Sequence, residues 1–508
     1  MTEAEEQAEI IRFLADPDTY GVGSVDRIDT HVNHVFLAGD RVYKMKRAVR
    51  FPFLDFSTLA ARKAACEAEV ALNRRTAPAL YEGVVAVTRR TGGRLVFDGD
   101  GEPVEWVVVM RRFDQDTLFD RLAGRGGLDE PLMRGLADRI AAFHQEAERR
   151  PDQGGDKGVR FVVESNMETL EGPAAGPLDE EKVARLGSTW RDSLDRLAPL
   201  LERRRESGFV RRCHGDLHLR NICLIDGRPT LFDCIEFSER IACIDVFYDL
   251  AFLLMDLEHR NLRALAGTVL NRYLAMTADF EALAALPLFL SLRAGVRAMI
   301  SAMEGEEQSD DALCGEARAY LDAALFYLEP RQTRLVAVGG LSGTGKSTVA
   351  AALAPHMGAR PAAAVLRSDV IRKRHFGRAP EDALPKDAYT QEASAAIYEQ
   401  LMGYAAAAIA AGHDVIVDAV FARPGEREAI AAVAAAADVP FLGLWLEASE
   451  ETLVARVGAR RNDASDADAS VVRRQQEYDL GTLDWRRIDT GGSLPDTVAA
   501  AKAAIDSD

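Results

Sequence analysis

Hydrophobic and polar positions follow different rhythms in successive stretches of this chain. Up to Met110, short apolar runs alternate with charged turns. His34-Val35-Phe36-Leu37, then Gly39-Asp40, then Arg41-Val42-Tyr43-Lys44-Met45-Lys46 reads as a β-hairpin. A helix is predicted from about Ser57 to Arg75, with Ser57 or Thr58 as its N-cap. Val84–Val87, Arg94–Phe97 and Val104–Met110 read as further antiparallel strands, which makes a sheet-rich lobe with one helix. From Leu118 the period lengthens to that of helices, over Leu132–Ala147 and Glu181–Ser207, with an exposed Asp/Gly-rich loop at Arg150–Lys157. Two short strands interrupt it, Ile222–Ile225 and Pro229–Phe232, joined by Asp226-Gly227, a dipeptide that favours the tight hairpin turn. Helices resume from Asp245 to Leu328.

Glu329-Pro330-Arg331-Gln332-Thr333 marks the domain junction. Beyond it strands are predicted near 334–339, 363–367, 414–418, 440–446 and 486–489, with Ala-rich helices around 393–411 and 428–437. Such alternation implies a parallel sheet covered by helices on both faces. The expected organisation is an α+β domain at 1–330 followed by an α/β domain at 331–508. No internal repeat is visible.

Composition agrees with this division. A chain of 508 residues is too long for one core, and 48% hydrophobic with 28% charged residues is ordinary for a globular enzyme. Charge narrows the partners further. A net charge of −18 opposes non-specific binding to DNA, RNA or an anionic membrane, although Arg372, Lys373, Arg374, His375 and Arg378 form one local basic run. The start, Met1-Thr2-Glu3-Ala4-Glu5-Glu6, lacks the pattern of a signal peptide. Leu283–Ile300 comes nearest to the roughly 20 apolar residues of a membrane span. Arg293 and Arg297 interrupt it, which predicts a buried helix. The cysteines at 66, 213, 223, 234, 243 and 314 contain no C-x-x-C pair, and with His214 and His218 they match no familiar zinc-finger spacing. Reduced thiols in a cytoplasmic protein are expected.

Candidate chemistry is concentrated in two places. In the first, His214-Gly215-Asp216-Leu217-His218-Leu219-Arg220-Asn221 is followed by Leu231-Phe232-Asp233. Phosphoryl transfer needs a carboxylate to orient and accept the proton of the attacking hydroxyl, and oxygen ligands to hold Mg²⁺ on the phosphates. Asp216 occupies the carboxylate position of H-x-D-L-x-x-x-N, the catalytic loop of protein-kinase-like phosphotransferases. Asn221 and Asp233, which open and close the Asp-Gly hairpin, fit the metal roles. Lys44 and Lys46 lie two apart on a strand, hence on one face, and either suits the α/β-phosphates; Lys44 is preferred. Glu69 is the preferred helix partner, with Glu67 its rival.

Together with Asp245-Val246-Phe247-Tyr248-Asp249-Leu250-Ala251, this stretch resembles the aminoglycoside phosphotransferase and choline kinase superfamily over about residues 25–325. The resemblance implies a bilobal protein-kinase-like fold binding ATP between its lobes, with Met110-Arg111-Arg112-Phe113 as the hinge beside adenine. Asp245 and Asp249 are expected to be structural. The usual Gly-rich loop is not evident, since Thr30-His31-Val32-Asn33-His34 stands before the first expected strand.

In the second place, the apolar Leu335-Val336-Ala337-Val338 leads into Gly340-Leu341-Ser342-Gly343-Thr344-Gly345-Lys346-Ser347-Thr348, which opens a helical pattern. This is a P-loop: glycines let the backbone wrap phosphate, Lys346 reaches the β/γ oxygens and Ser347 offers its hydroxyl to Mg²⁺. The helix N-terminus also favours an anion. Asp369 follows the next expected strand and would emerge at the C-terminal edge of the sheet, where open α/β folds bind ligands. Asp418 ends another strand, near Mg²⁺ or substrate, with Arg423 and Arg427 following. The segment resembles small P-loop kinases over about 333–505: gluconate and shikimate kinases, chloramphenicol phosphotransferase, and AAA-type zeta and polynucleotide kinase domains. That resemblance implies Asp369 as base or substrate anchor, and Arg456, Arg460 and Arg461 as lid residues that neutralise charge on the transferred phosphate.

The expected molecule is an α+β bilobal protein-kinase-like domain followed by an α/β P-loop NTPase domain with a parallel sheet. Its expected activity is bifunctional ATP- and Mg²⁺-dependent phosphate transfer to hydroxyl groups of small molecules, with neither nucleic acid nor membrane as partner. The fusion also resembles uncharacterised bacterial two-domain kinases. Two alternatives stand beside this reading: a polynucleotide 5′-kinase acting in repair, and a nucleotide-sensing regulator with one inactive kinase half. Acceptor identity and oligomeric state are left open.

Overall fold

The computed structural model describes residues 3–51, 54–172, 176–459 and 464–507. The chain divides into two compact units, Met1–Val159 with Ala198–Leu253, and Arg160–Leu197 with Leu254–Asp508.

In the first unit, six antiparallel strands lie in the order Val25–Asp29, Asn33–Ala38, Arg41–Lys46, Glu102–Arg111, Tyr81–Arg89 and Leu95–Phe97. Alternation along the strands gives each face its own core. Met45, Val107 and Val109 pack with Phe36 and with Ile10 and Leu14 of a helix over Glu3–Ala15. Val108 and Met110 face the other way, onto Cys66 and Val70 of the helix Leu59–Asn73. Thr58 is the N-cap of that second helix, its hydroxyl accepting the Ala61 N–H at 3.2 Å. Two of these elements lie outside the expected set. The strand Val25–Asp29 is largely exposed and so carries no apolar alternation, while the first helix buries only a narrow stripe.

The Asp-Gly hairpin forms between Ile222–Ile225 and Arg228–Leu231, with Asp226 and Gly227 at φ 51° and 73° as a tight hairpin turn requires. The Asp/Gly-rich loop ends earlier than expected, because a helix starts at Gly155 and runs to Leu170. Asp245 closes a short strand, Cys243–Asp245, paired with Val210–Arg212. The helical stretch after it resolves into Val246–His259, Arg263–Thr277, Leu286–Gln308 and Asp311–Tyr327. Asn261 and Ala278 interrupt it in left-handed conformations, φ 62° and 54°.

In the second unit, the helix Leu286–Gln308 is long and apolar enough to cross a membrane by length and composition, yet 67% of its most apolar window is buried within the protein. Trp190 explains part of that burial: its indole N–H donates to Ser291 Oγ at 2.7 Å while its ring packs over Gly295. The five-stranded parallel sheet has the order Ala364–Arg367, Val415–Asp418, Leu335–Gly340, Phe441–Glu447, Arg486–Asp489. Leu335–Gly340 is central and wholly buried, and the loop that follows it opens the helix Lys346–Leu353.

Two candidate phosphoryl-transfer sites

The first site grows from the loop after Val210–Arg212. Asp249, fully buried, accepts the His214 and Gly215 backbone N–H groups at 3.1 and 2.8 Å, and His144 Nε2 lies 3.1 Å from the same carboxylate. Gly215 sits at φ 83°, a conformation that favours glycine, with Ile235 close against it. His214 donates from Nε2 to the Phe232 carbonyl at 2.9 Å, tying the loop to the hairpin; burial holds its imidazole neutral by pushing the pKa down. Asp245 accepts Arg204 at 2.7 and 2.9 Å and the Phe247 N–H at 2.9 Å. Asp249 thus holds the loop from behind, while Asp245 ties Arg204 to the start of the helix Val246–His259.

Asp216 is left about one-third exposed. Asn221 donates from Nδ2 to its carboxylate at 2.8 Å and to its carbonyl at 2.9 Å, and His218 Nε2 lies 3.2 Å from the same carboxylate. His218 went unremarked as a site residue in the sequence, where the pattern H-x-D-L-x was the only pointer to it. Asp233 adopts φ 61°, accepts the Lys44 ammonium and turns its side chain outward, 42% exposed. Lys44 Nζ is 3.0 Å from Glu69 Oε1 and Lys46 Nζ 2.5 Å from Glu69 Oε2, so one buried carboxylate serves two lysines. Lys46 also pairs with Glu236, a residue that sequence reasoning missed. Glu67 points elsewhere, toward Lys63 at 3.8 Å, and is exposed.

The second site surrounds the P-loop. Gly340, Gly343 and Gly345 all have positive φ, of 139°, 92° and 87°. A Cβ at Gly340 or Gly343 would lie 2.6 or 2.7 Å from the carbonyls of Leu446 or Leu453, whereas one at Gly345 would meet nothing within 4 Å. That open space lies at the start of a helix with no side-chain cap, and so suits an anion such as phosphate. Thr344 and Lys346 hold the loop's curve by donating to the Leu341 carbonyl, each at 2.9 Å. Ser342 N–H donates to Gln475 Oε1 at 2.7 Å; nothing in the Gln475 sequence context signals this contact. Ser347 Oγ donates to Asp418 Oδ2 at 2.5 Å, which brings together two oxygen ligands suited to a divalent cation. Burial raises the Asp418 carboxyl's pKa, although Arg367 and Lys346 pull it back.

A cavity of about 1200 Å³ joins this loop, Thr348 included, to Asp369, Asp418 and Arg456. Asp369 lies in the first turn of the helix Ser368–His375. Arg456 donates to the Thr490 carbonyl at 2.6 Å. Arg460 and Arg461 lie outside the described residues. Arg427 is buried and spent on four backbone carbonyls, those of Phe421, Ala422, Leu480 and Thr482. Of the basic run, Arg372 and Lys373 are drawn inward, whereas Arg374, His375 and Arg378 are exposed. Arg372 donates to the Ala388 carbonyl at 2.7 Å, buried Lys373 pairs with Asp466, and Arg374 donates to the Met276 and Thr277 carbonyls at 3.1 and 3.0 Å.

These two sites define a chain of the phosphotransferase class, and comparison with known proteins agrees. Residues 38–286 match the family model of the phosphotransferase enzyme family, and residues 335–479 that of an AAA domain. Uncharacterized proteins of Mycobacterium tuberculosis (strain ATCC 25618 / H37Rv) and Mycobacterium bovis (strain ATCC BAA-935 / AF2122/97) are each 30% identical over 488 residues, 94% of this chain and 94% of theirs. The chain belongs to the same family as these mycobacterial proteins. Among solved structures, a choline/ethanolamine kinase family protein from Mesorhizobium loti aligns over 64% of this chain and 95% of its own at 15% identity, TM-score 0.41. A gluconokinase from Sinorhizobium meliloti 1021 aligns over 35% and 94% at 24% identity, TM-score 0.25.

Proposed function

We propose that this protein is a cytoplasmic bifunctional kinase that transfers the γ-phosphate of ATP to hydroxyl groups of two small molecules, one at each site. The observation that carries the reading is that each site pairs a carboxylate open to an acceptor with its own lysine and oxygen ligands. At the first, Asp216 orients the acceptor hydroxyl and takes its proton. Asn221 and Asp233 would hold Mg²⁺, and Lys44 meets the phosphates once it leaves Asp233. Lys44 suits that task better than Lys46, whose side chain is 1% exposed against 10%. At the second, the P-loop backbone and Lys346 receive the phosphates, Ser347 and Asp418 would hold Mg²⁺, and Asp369 anchors or deprotonates the acceptor. Arg456 and Arg460 neutralise charge on the phosphoryl group in flight.

The test is transfer of label from γ-labelled ATP into a cytosolic metabolite extract by wild type, Asp216→Ala and Lys346→Ala. Each substitution is expected to erase a different labelled product. If Asp216→Ala changes nothing while Lys346→Ala abolishes all transfer, the first half is not a kinase and the bifunctional reading fails.

A further inference from the structure

We infer that Asn271 is a positioning residue for the P-loop site: from a helix of the phosphotransferase-family segment it holds the edge strand of the P-loop sheet that carries Asp369. The inference rests on the kinase reading of the P-loop half.

Ala364–Arg367 is the edge strand of the parallel sheet and pairs on one side with Val415–Asp418. An edge strand presents a row of unpaired backbone groups on its open side, and leaving one buried without a partner is costly. Here the open side is covered by the helix Arg263–Thr277. Asn271 Oδ1 accepts the Val365 N–H at 2.7 Å, and Asn271 Nδ2 donates to the Ala363 carbonyl at 3.1 Å. One carboxamide, having both a donor and an acceptor, thereby does what a neighbouring strand would do.

Three further contacts fix the helix to the same edge. Arg263 donates to the carbonyls of Pro361, Met357 and Ala359 at 2.7, 2.8 and 2.8 Å. Arg374, on the helix that begins beside Asp369, donates to the carbonyls of Met276 and Thr277 at 3.1 and 3.0 Å. Gly267 packs so closely on Ala362 that a Cβ there would lie 2.8 Å from the alanine's. Asp369 stands two residues beyond the strand's end and faces the P-loop cavity, so its position follows that of the strand. The P-loop follows the central strand and is buttressed on both sides, so it does not depend on the edge in the same way.

The test uses the full chain with Asn271→Ala, Gly267→Ala, and Thr268→Ala as control. Gly267→Ala favours the helix itself and acts only on its spacing from the strand, which keeps the test open if Asn271→Ala folds poorly. Amide hydrogen exchange over 364–369 is expected to speed up about tenfold in Asn271→Ala and less in Gly267→Ala. Lys346-dependent binding of mant-ATP should stay within about twofold of wild type, while Lys346-dependent transfer of labelled phosphate falls by about tenfold. Unchanged exchange in both variants overturns the inference, as does faster exchange with undiminished transfer. Equal losses of nucleotide binding and transfer also overturn it, because they would report general damage. Should wild type show no Lys346-dependent transfer, the kinase reading of this half fails, and exchange alone decides whether Asn271 holds the strand.

Discussion

At the scale of single residues, the first site turns on burial. Lys44, Lys46, Glu69 and Glu236 form a knot of charges largely removed from water, and such charges persist only when each is compensated. Access then distinguishes the two lysines. Lys46 is closed in by Glu69, Glu236 and the Phe56 ring, whereas Lys44 borders the exposed Asp233. Lys46→Met leaves the buried Glu236 without its lysine and Glu69 with Lys44 alone, and should cost about 3–5 kcal/mol in urea unfolding, with much of it recovered in Lys46→Met/Glu236→Gln. The loss should depend on pH with a definite sign. Burial raises the Glu69 pKa, but Lys44 and Lys46 together bring it below the ordinary carboxylate range. Its folded value is depressed, so its contribution to stability is present above that range and is lost as pH falls below about 4. The deficit of Lys46→Met against wild type should therefore narrow on acidification through that window. A deficit constant from pH 7 to 3 would contradict the charge argument.

At the scale of elements, the segments best read from sequence are those whose job depends on local backbone geometry. The Asp226-Gly227 turn and the glycines of the P-loop announce conformations that other residues adopt at a cost. Gly343 shows why: at φ 92°, any Cβ would press on the Leu453 carbonyl at 2.7 Å. Gly343→Ala should weaken mant-ATP binding at this site about tenfold or more, from strain of about 1–3 kcal/mol, while circular dichroism stays unchanged. Retained affinity would mean the loop can relax away from Leu453. The elements hardest to read were the first helix and the strand Val25–Asp29. One shows a thin apolar stripe and the other faces mostly solvent, so neither carries the periodicity that burial imposes.

At the scale of the whole molecule, the chain's compact units do not follow the bounds of its two family matches. Residues 254–508 group together, so helices that belong to the phosphotransferase-family match share a unit with the P-loop sheet. Asn271 satisfies that sheet's edge strand, Arg263 the loop that leads into it, and Arg272 pairs with Glu381 at 2.6 Å. A chain of residues 331–508 alone would expose the strand Ala364–Arg367. Such a piece should self-associate and unfold at a lower temperature than the same segment does in the full protein, as checked by light scattering and calorimetry. A monomeric piece with an unchanged transition would show that the edge needs no cover.

The sequence by itself determined the two phosphotransferase-like signatures and the order in which they occur. Asp216, Asn221 and Asp233, like the run from Gly340 to Thr348, lie within short stretches whose turns and strand–loop–helix junctions are set by local dihedral preference. Tertiary structure alone decided that Glu69 rather than Glu67 meets the lysines, and that Glu236 joins the first site. It alone brought Gln475 to the P-loop and Asn271 to the edge strand. These choices rest on closing loops of tens to hundreds of residues, where the burial of one side chain against another selects the partner and no local pattern in the chain records the result.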